Sequence, residues 1–152
     1  MSLIRQNAID LASKMRVLTL ATAFEQETWT APVYYVFSNK SFYFFSNPDS
    51  RHIKDTQKSA NLIAASVFSD DTNFKNIKGL QMQGEIYKVE NKKDAFLRAK
   101  EYIKKFRIGY KKEDILEFFY AKYKSRLYKF IPEIVYYMDN SQKLGTREKL
   151  EL

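Results

Sequence analysis

The sequence predicts a mainly β protein of the α+β class, a small antiparallel barrel of six strands with helices at its periphery. Six segments are rich in β-branched and aromatic residues, which fit the pleated, half-buried surface of a strand. Most of them are joined by short polar breaks, which favour antiparallel pairing, and this many short strands favour a barrel over an open sheet. The predicted strands are residues 17–24, 28–37, 42–45, 61–68, 77–90 and 125–138.

Other segments show the apolar spacing of helices. The first covers residues 3–15, with Ser2 placed to cap it. A short helix is predicted over residues 51–59, and a pair of helices precedes the last strand. The first helix of this pair has one apolar face opposite its lysines, formed by Phe96, Ala99, Ile103 and Phe106. We expect a single domain over residues 1–140 and a polar tail over residues 141–152.

Two aromatic runs in the first half of the chain, residues 31–37 and 42–45, flank a short polar break that contains Asn39. An Asn in such a break favours a tight turn, so the two runs are predicted to form a β-hairpin. Pro32 has no amide hydrogen for a ladder, which puts its strand at a sheet edge or at a bulge. Gly84, like Gly79, interrupts the long fifth strand and indicates a bulge or a close approach by another backbone or a ligand.

The segment after the hairpin has the composition of a binding turn. Residues 46–50 read Ser-Asn-Pro-Asp-Ser, and Arg51 and His52 then open a helical pattern with Asp49 or Ser50 as its N-cap. A strand end, hydroxyl groups and an Arg at a helix N-terminus together suit an anion such as phosphate. A capped surface helix with a solvated Arg explains the same residues.

The positive charge of the chain is concentrated in one segment. The net charge is +8, and residues 88–129 hold 14 Lys and Arg against 6 Asp and Glu, which leaves 12 of each elsewhere. Such a segment can bind nucleic acid, an acidic partner or a phosphorylated ligand. Two solvated helix faces also account for it, and they are favoured over nucleic-acid binding.

Several kinds of chemistry are excluded or disfavoured by composition. There is no Cys and only one His, so disulfides and cysteine-ligated zinc are excluded and no metal site is predicted. The motifs of serine hydrolases, P-loop proteins and dinucleotide-binding proteins are absent. A reaction carried by a bound cofactor therefore fits best if the protein is an enzyme. No signal-peptide pattern or long apolar run appears, so we expect a cytoplasmic protein that does not bind membranes.

The order of these features resembles a known family. A strand pair, an aromatic hairpin, the sequence Ser46-Asn47 followed by Ser50-Arg51-His52, a buried strand and a long strand with Gly79 and Gly84 are typical of the FMN-binding split β-barrel proteins related to pyridoxamine phosphate oxidase. The sequences S-R-H-I-K and I-K-G-L-Q-M-Q-G-E-I are similar to a small bacterial branch of that superfamily. The resemblance implies a split barrel that binds FMN at a homodimer interface.

The resemblance also implies a set of cofactor-binding residues. Arg51 corresponds to a phosphate ligand, and Ser46 to a hydroxyl donor with Phe45 beside it. His52 stands where the family often has Lys, and Gly79 stands where it has a flavin-contacting Gln, which nearby Gln81 or Gln83 would replace. The flavin-facing backbone of the family falls on residues 30–35 of this chain. The implied set is Thr30, Ala31, Pro32, Val33, Tyr34, Phe45, Ser46, Arg51, His52, Gly79 and Gln81.

Two functions follow as hypotheses. The first is a homodimeric FMN-dependent oxidoreductase that acts on an unidentified small molecule. The second is a non-catalytic protein that binds a phosphorylated or planar ligand, or that contacts nucleic acid through residues 88–129. Aromatic side chains next to basic ones can stack bases, but the aromatics here alternate as core residues do, which makes nucleic acid the less favoured partner.

Overall fold

A computed structural model of the chain describes residues 1–109 and 115–152, and all strand pairs in this part are antiparallel. The strands are β1 (Val17–Phe24), β2 (Glu27–Tyr34), β3 (Val36–Ser38), β4 (Ser41–Ser46), β5 (Leu62–Phe68), β6 (Lys78–Lys88), β7 (Arg126–Asp139) and β8 (Arg147–Leu150). The helices are α1 (Leu3–Lys14), α2 (Arg51–Lys58), α3 (Lys92–Phe106) and α4 (Ile115–Glu117). A π-helical turn, Phe118–Lys122, continues α4, and a short 3-10 turn, Phe74–Asn76, precedes β6.

The strands form one curled sheet in the order β2-β1-β5-β6-β7-β4-β3. β7 is the longest strand and holds the two halves of the sheet together. Its first residues pair with β4 and its last residues pair with β8, while β6 pairs along its other side. The sheet is therefore a half-barrel whose two parts share β7.

The predicted strand over residues 28–37 is two strands in the structure. This is one reason why the prediction of six strands was wrong and the described residues form eight. β2 pairs with β1 and β3 pairs with β4, at opposite ends of the sheet. Tyr35 lies between them, fully buried, and its hydroxyl donates to the carbonyl of Ala12 at 2.6 Å. Its amide donates to the carbonyl of Arg16 at 3.1 Å. Anchoring Tyr35 in the core turns the chain from one end of the sheet to the other.

The hairpin is confirmed but is shorter than predicted. Only β3, and not the whole run of residues 31–37, pairs with β4. Asn39 and Lys40 form the two-residue turn, with φ of 48° and 59°. Left-handed backbone at both central positions gives the turn whose twist matches that of the strands.

The second extra strand, β8, lies in the predicted polar tail. The domain boundary at residue 140 stays a prediction. The last residues, however, pack against the rest of the protein. β8 pairs with β7, Leu152 is buried in the main core, and its carbonyl accepts from Nη2 of Arg5 at 3.2 Å. β8 was not predicted because its side chains are mostly polar. It forms a strand because its backbone pairs with that of β7.

The predictions for Pro32 and Gly84 are borne out in the sheet, whereas Gly79 pairs regularly with Met138 and lies at no bulge. β2 pairs only with β1 in the described chain, so Pro32 lies in an edge strand. A bulge follows Gln83, where Gly84 faces Pro132. A Cβ at Gly84 would lie 2.1 Å from the carbonyl oxygen of Ile131, so only glycine fits there.

Two apolar clusters hold the helices on the sheet. The main core lies between α1 and the inner face of the sheet, and Ser2 caps α1 as predicted, accepting from the amide of Arg5 at 3.3 Å. The second cluster packs α3 and α4 on the outside of β3 and β4. The face of α3 that packs on the protein differs from the predicted face by a rotation about the helix axis. Its buried residues are Ala95, Arg98, Ala99 and Tyr102, whereas Phe96 is exposed.

Candidate cofactor-binding site

The first turn of α2 joins two distant parts of the sheet. It follows the polar turn after β4, in which Ser50 takes the N-cap position without capping the helix through its side chain. The Ser50 hydroxyl donates instead to the carbonyl of Asn47 at 2.7 Å. From this turn, Arg51 extends to β2 while His52 extends to the end of β4. The amides of the first helical turn therefore keep their capacity to bind an anion.

A polar cluster forms where β4 ends. Nε2 of His52 lies 2.6 Å from Oγ of Ser46, and Oγ of Ser50 lies 3.2 Å from Oγ of Ser46 and 3.3 Å from Nε2 of His52. Ser46 is buried. Burial also lowers the pKa of His52, an effect that the carboxylate of Asp55 offsets in part. Two hydroxyls and an imidazole that favours its neutral form therefore meet at the start of α2.

Arg51 is held on the other side of the turn. Its Nη2 lies 2.8 Å from Oε2 of Glu27, and its Nε lies 3.2 Å from Oδ2 of Asp55. The guanidinium carbon stands 4.5 Å from the ring centre of Trp29. The predicted phosphate ligand thus has two carboxylate partners. Glu27 is largely exposed, and exposed ion pairs contribute only about 0–1 kcal/mol, so this partner exchanges readily.

Sequence reasoning missed Glu27 and Trp29. The spacing of Arg51 and Asp55 is the i, i+4 spacing of a helical ion pair and was readable in the sequence. Glu27 is 24 residues from Arg51 and comes close only through the packing of α2 beside β2. Trp29 is the only tryptophan of the chain, and no local pattern connected it with Arg51.

The predicted flavin-facing residues lie along β2. Ala31 and Val33 share the inner face of the sheet, opposite Leu20 and Leu18 of β1, and the other three face outward: Thr30, Pro32 and Tyr34. The ring of Tyr34 meets that of Phe106 on α3, with 5.2 Å between their centres. β2 is an edge strand. In the part of the chain described here, the backbone amides and carbonyls on the edge that points away from β1 therefore have no strand partner.

Phe45 lies on the helix side of β4. Its ring stacks on that of Phe119 at 3.8 Å between centres and 10° between planes, and meets Tyr102 edge-on at 5.2 Å. Neighbouring side chains of a strand face opposite ways, so Phe45 faces the helices while Ser46 faces the polar cluster. The structure therefore gives Phe45 a packing role, and its contact with a cofactor stays a prediction.

Gly79 and Gln81 lie on β6, away from the turn. Gln81 is aligned across the sheet with Pro32 of β2 through one residue each of β5 and β1. Three strand spacings separate them, about 14 Å. Nε of Arg147 on β8 donates to Oε1 of Gln81 at 2.8 Å. One chain thus joins His52 to Ser46 and Arg51 to β2 at the start of α2, whereas Gly79 and Gln81 lie elsewhere.

Other potential sites do not involve the predicted residues. An open cleft of about 890 Å³ lies beyond α1, lined by residues that include Asp10, Lys14, Arg16 and Phe68. Within residues 1–109 and 115–152, no three potential metal ligands come together. The same residues include no helix that is long and apolar enough to span a bilayer.

Comparison with known proteins gives the family. No family model matches the chain. A UPF0306 protein of Photorhabdus laumondii is 31% identical over 99 residues, which are 64% of this chain and 68% of that protein. The chain belongs to the UPF0306 family. A UPF0306 protein of Klebsiella pneumoniae is also 31% identical over 99 residues, 64% of this chain and 66% of that one.

Solved structures share the fold of this UPF0306 chain at low sequence identity. ChuZ of Campylobacter jejuni has a TM-score of 0.79 at 14% identity, covering 99% of this chain and 60% of that one. A FAD-binding protein of Mesorhizobium loti has 0.66 at 16%, covering 89% and 90%. HutZ of Vibrio cholerae, named a heme storage protein, has 0.66 at 14%, covering 86% and 90%. The predicted mainly β split barrel is confirmed, with eight strands in the described residues.

Proposed function

We propose that this UPF0306 protein binds FMN at a homodimer interface and acts as a flavin-dependent oxidoreductase on a small molecule. The observation that carries the proposal is that the turn from β4 into α2 joins Ser46, Ser50 and His52 in one polar cluster, while Arg51 of the same turn extends to β2, an edge strand. These are the donor types that hold a phosphate ester, and an edge strand offers backbone groups to a planar ring.

The residues present fit the phosphate of FMN. The hydroxyl of Ser46, the uncapped amides of α2 and the Arg51 guanidinium are all hydrogen-bond donors. To bind a phosphate, Arg51 gives up its ion pair with Glu27, a largely exposed carboxylate. His52 carries no fixed charge, but a bound phosphate favours its protonation and so adds a further donor.

FMN, when bound, supplies the hydride or electron transfer, and the side chains of the protein do the rest. The turn after β4 holds and orients the phosphate end. The backbone edge of β2 aligns the ring system, and the inward residues Ala31 and Val33 close the space behind it. No acid or base from the chain is required.

The homodimer proposal rests on the outer face of the sheet. The outward side chains of β1, β2 and β5 include no charged residue. Six large, exposed apolar or aromatic side chains lie on this face, namely Val17, Tyr34, Leu62, Phe68, Tyr87 and Tyr136. The uncharged part of this face lies over β1, β2 and β5 and ends at Glu85 of β6, and such an area on a protein with 29% charged residues is typical of a surface that another subunit covers. A second copy would also bring its own Gln81 to this face.

Heme is the planar ligand that the second hypothesis would favour, since HutZ is named a heme storage protein. The chain offers one histidine, and Nε2 of that His52 is already bonded to Ser46. A heme iron held by histidine needs a free imidazole nitrogen facing the ring. The site therefore suits a phosphorylated flavin better than heme.

The absorbance spectrum of the purified protein, before and after incubation with FMN and removal of the excess, tests the proposal. Retained flavin bands at about one FMN per subunit would support it. A protein that stays colourless after FMN treatment, or that retains the Soret band of heme instead, would overturn it.

A further inference from the structure

The exposed side of α3 carries a row of lysines. Lys93, Leu97, Lys100 and Lys104 follow one another at the spacing that aligns residues along one side of a helix, and all four are exposed. We call this row the lysine stripe. Phe96 lies beside it, with Nζ of Lys100 5.7 Å from its ring centre. The stripe lies within residues 88–129, the segment that carries the excess positive charge.

The charge of the stripe is not neutralised by its own helix. α3 has two carboxylates, Asp94 and Glu101, and both pair with the buried Arg98, at 3.6 Å and 3.4 Å. Among the described residues, no carboxylate forms an ion pair with a lysine of the stripe. Both acidic side chains of α3 are therefore paired with Arg98. The three lysines of the stripe stay unneutralised on the outer side of the helix.

Exposed apolar side chains lie in and beside the stripe, which a purely solvated charged face would lack. Leu97 is 40% exposed between the lysines, and Phe96 is 37% exposed. Apolar residues ringed by charges are the pattern of weak, electrostatically guided protein interfaces. Phosphate groups of a nucleic acid would use the lysines but not Leu97, so the mixture favours a protein.

The inner side of α3 contacts two residues of the predicted cofactor-binding set. Tyr102 meets the ring of Phe45, and Phe106 meets that of Tyr34, each with 5.2 Å between ring centres. An α-helix with its side chains is about 10 Å across. A protein docked on the stripe would therefore sit about one helix thickness from the aromatic rings that adjoin the site.

We propose that the lysine stripe is the docking surface for a small acidic electron-carrier protein that reduces the flavin. This inference rests on the proposed function. Each carrier molecule gives up one electron, so two encounters supply the two electrons that reduce one FMN, and solvent supplies the protons. Such an interface is small and transient, and its affinity falls with salt.

A binding titration on FMN-free protein, with a plant-type ferredoxin as the acidic probe, tests the docking surface. The double variant Lys93→Glu with Lys100→Glu reverses the stripe. Lys75→Glu with Lys143→Glu is the matched control, because both lysines are exposed, lie outside the stripe and give the same change of net charge. We expect micromolar binding at low salt, a loss of tenfold or more in the stripe variant and little change in the control.

Three results would overturn the docking surface: no binding of ferredoxin to the wild-type protein at low salt, equal losses in both variants, or tighter stripe-dependent binding of an RNA oligonucleotide or of phosphatidylglycerol vesicles. FMN uptake by the same variants separates the two proposals. Uptake of FMN without ferredoxin binding refutes the docking surface alone. Stripe-dependent ferredoxin binding without FMN uptake refutes the proposed function and the electron-carrier role, and supports an acidic-protein docking surface only.

Discussion

Nε2 of His52 lies 2.6 Å from Oγ of Ser46, which joins the first turn of α2 to the last residue of β4. This contact closes the polar turn between the two elements. It also places the only imidazole of the chain in a partly buried position at the candidate phosphate site.

The burial of His52 predicts a pH-dependent stability. Because the pKa of His52 is lowered in the folded protein, the unfolded chain binds its proton first as the pH falls through 6.5, the ordinary value. The free energy of unfolding should therefore decrease from about pH 7.5 to about pH 5.5, and it should decrease less in His52→Gln. Urea unfolding at a series of pH values measures both slopes. Identical slopes would show that His52 does not titrate differently in the two states.

Arg51→Ala should weaken FMN binding much more than riboflavin binding, because only FMN carries the phosphate. Loss of a hydrogen-bonded charge costs about 1.5–3 kcal/mol, or roughly tenfold to a hundredfold in the dissociation constant. Lys54→Ala on the same helix is the control, since Lys54 pairs with Asp49 and not with the site. Fluorescence titration with each flavin gives the affinities. Equal losses for the two flavins would remove Arg51 from the phosphate site.

Gly84→Ala should destabilise the sheet severely. The new methyl group would lie 2.1 Å from the carbonyl oxygen of Ile131 and 2.8 Å from Cα of Pro132, and neither backbone can move without breaking the pairing of β6 and β7. We expect a loss of about 3 kcal/mol or more in the free energy of unfolding. Gly109→Ala has open space and should change it by less than about 1 kcal/mol. Denaturant unfolding compares them, and similar stabilities would contradict the packing described for Gly84.

Phe68→Glu should convert the proposed homodimer to a monomer. The side chain is 61% exposed on the outer sheet face, and a charge buried there against a second copy would lack a partner. Leu144→Glu is the matched control, with 62% exposure outside the sheet. Sedimentation velocity over a range of concentrations measures the association. A monomeric wild-type protein, or a Phe68→Glu variant that still dimerises, would refute this interface.

Local patterns in the sequence predicted the elements well because local chemistry determines them. The β-branched run of β1, the Ser2 cap and the Asn39 turn are each specified by adjacent residues. The contact between Arg51 and Glu27 is not specified locally, since it requires α2 to pack beside β2. The crossing at Tyr35 was missed because an uninterrupted aromatic run gives no sign that its two ends pair with different strands.

The candidate site was predicted in part for the same reason. Ser46, Arg51 and His52 were readable as one group because a single turn connects them. Gln81 contacts Arg147 of β8, a strand whose consecutive charged residues resemble a polar tail. The direction of the Phe45 ring depends on Phe119, which is 74 residues away in the chain. Pairings over such distances are set by tertiary packing.

The position of β7 has a consequence for how the chain folds as it is synthesised. The hairpins β1–β2 and β3–β4 are local and can form early, but β6 and β4 have no common neighbour until β7 leaves the ribosome. Until then the nascent chain exposes two open strand edges, which are prone to pair with other chains. Slow translation just before β7 should therefore favour aggregation, and a chaperone that covers strand edges should act on this protein at that stage.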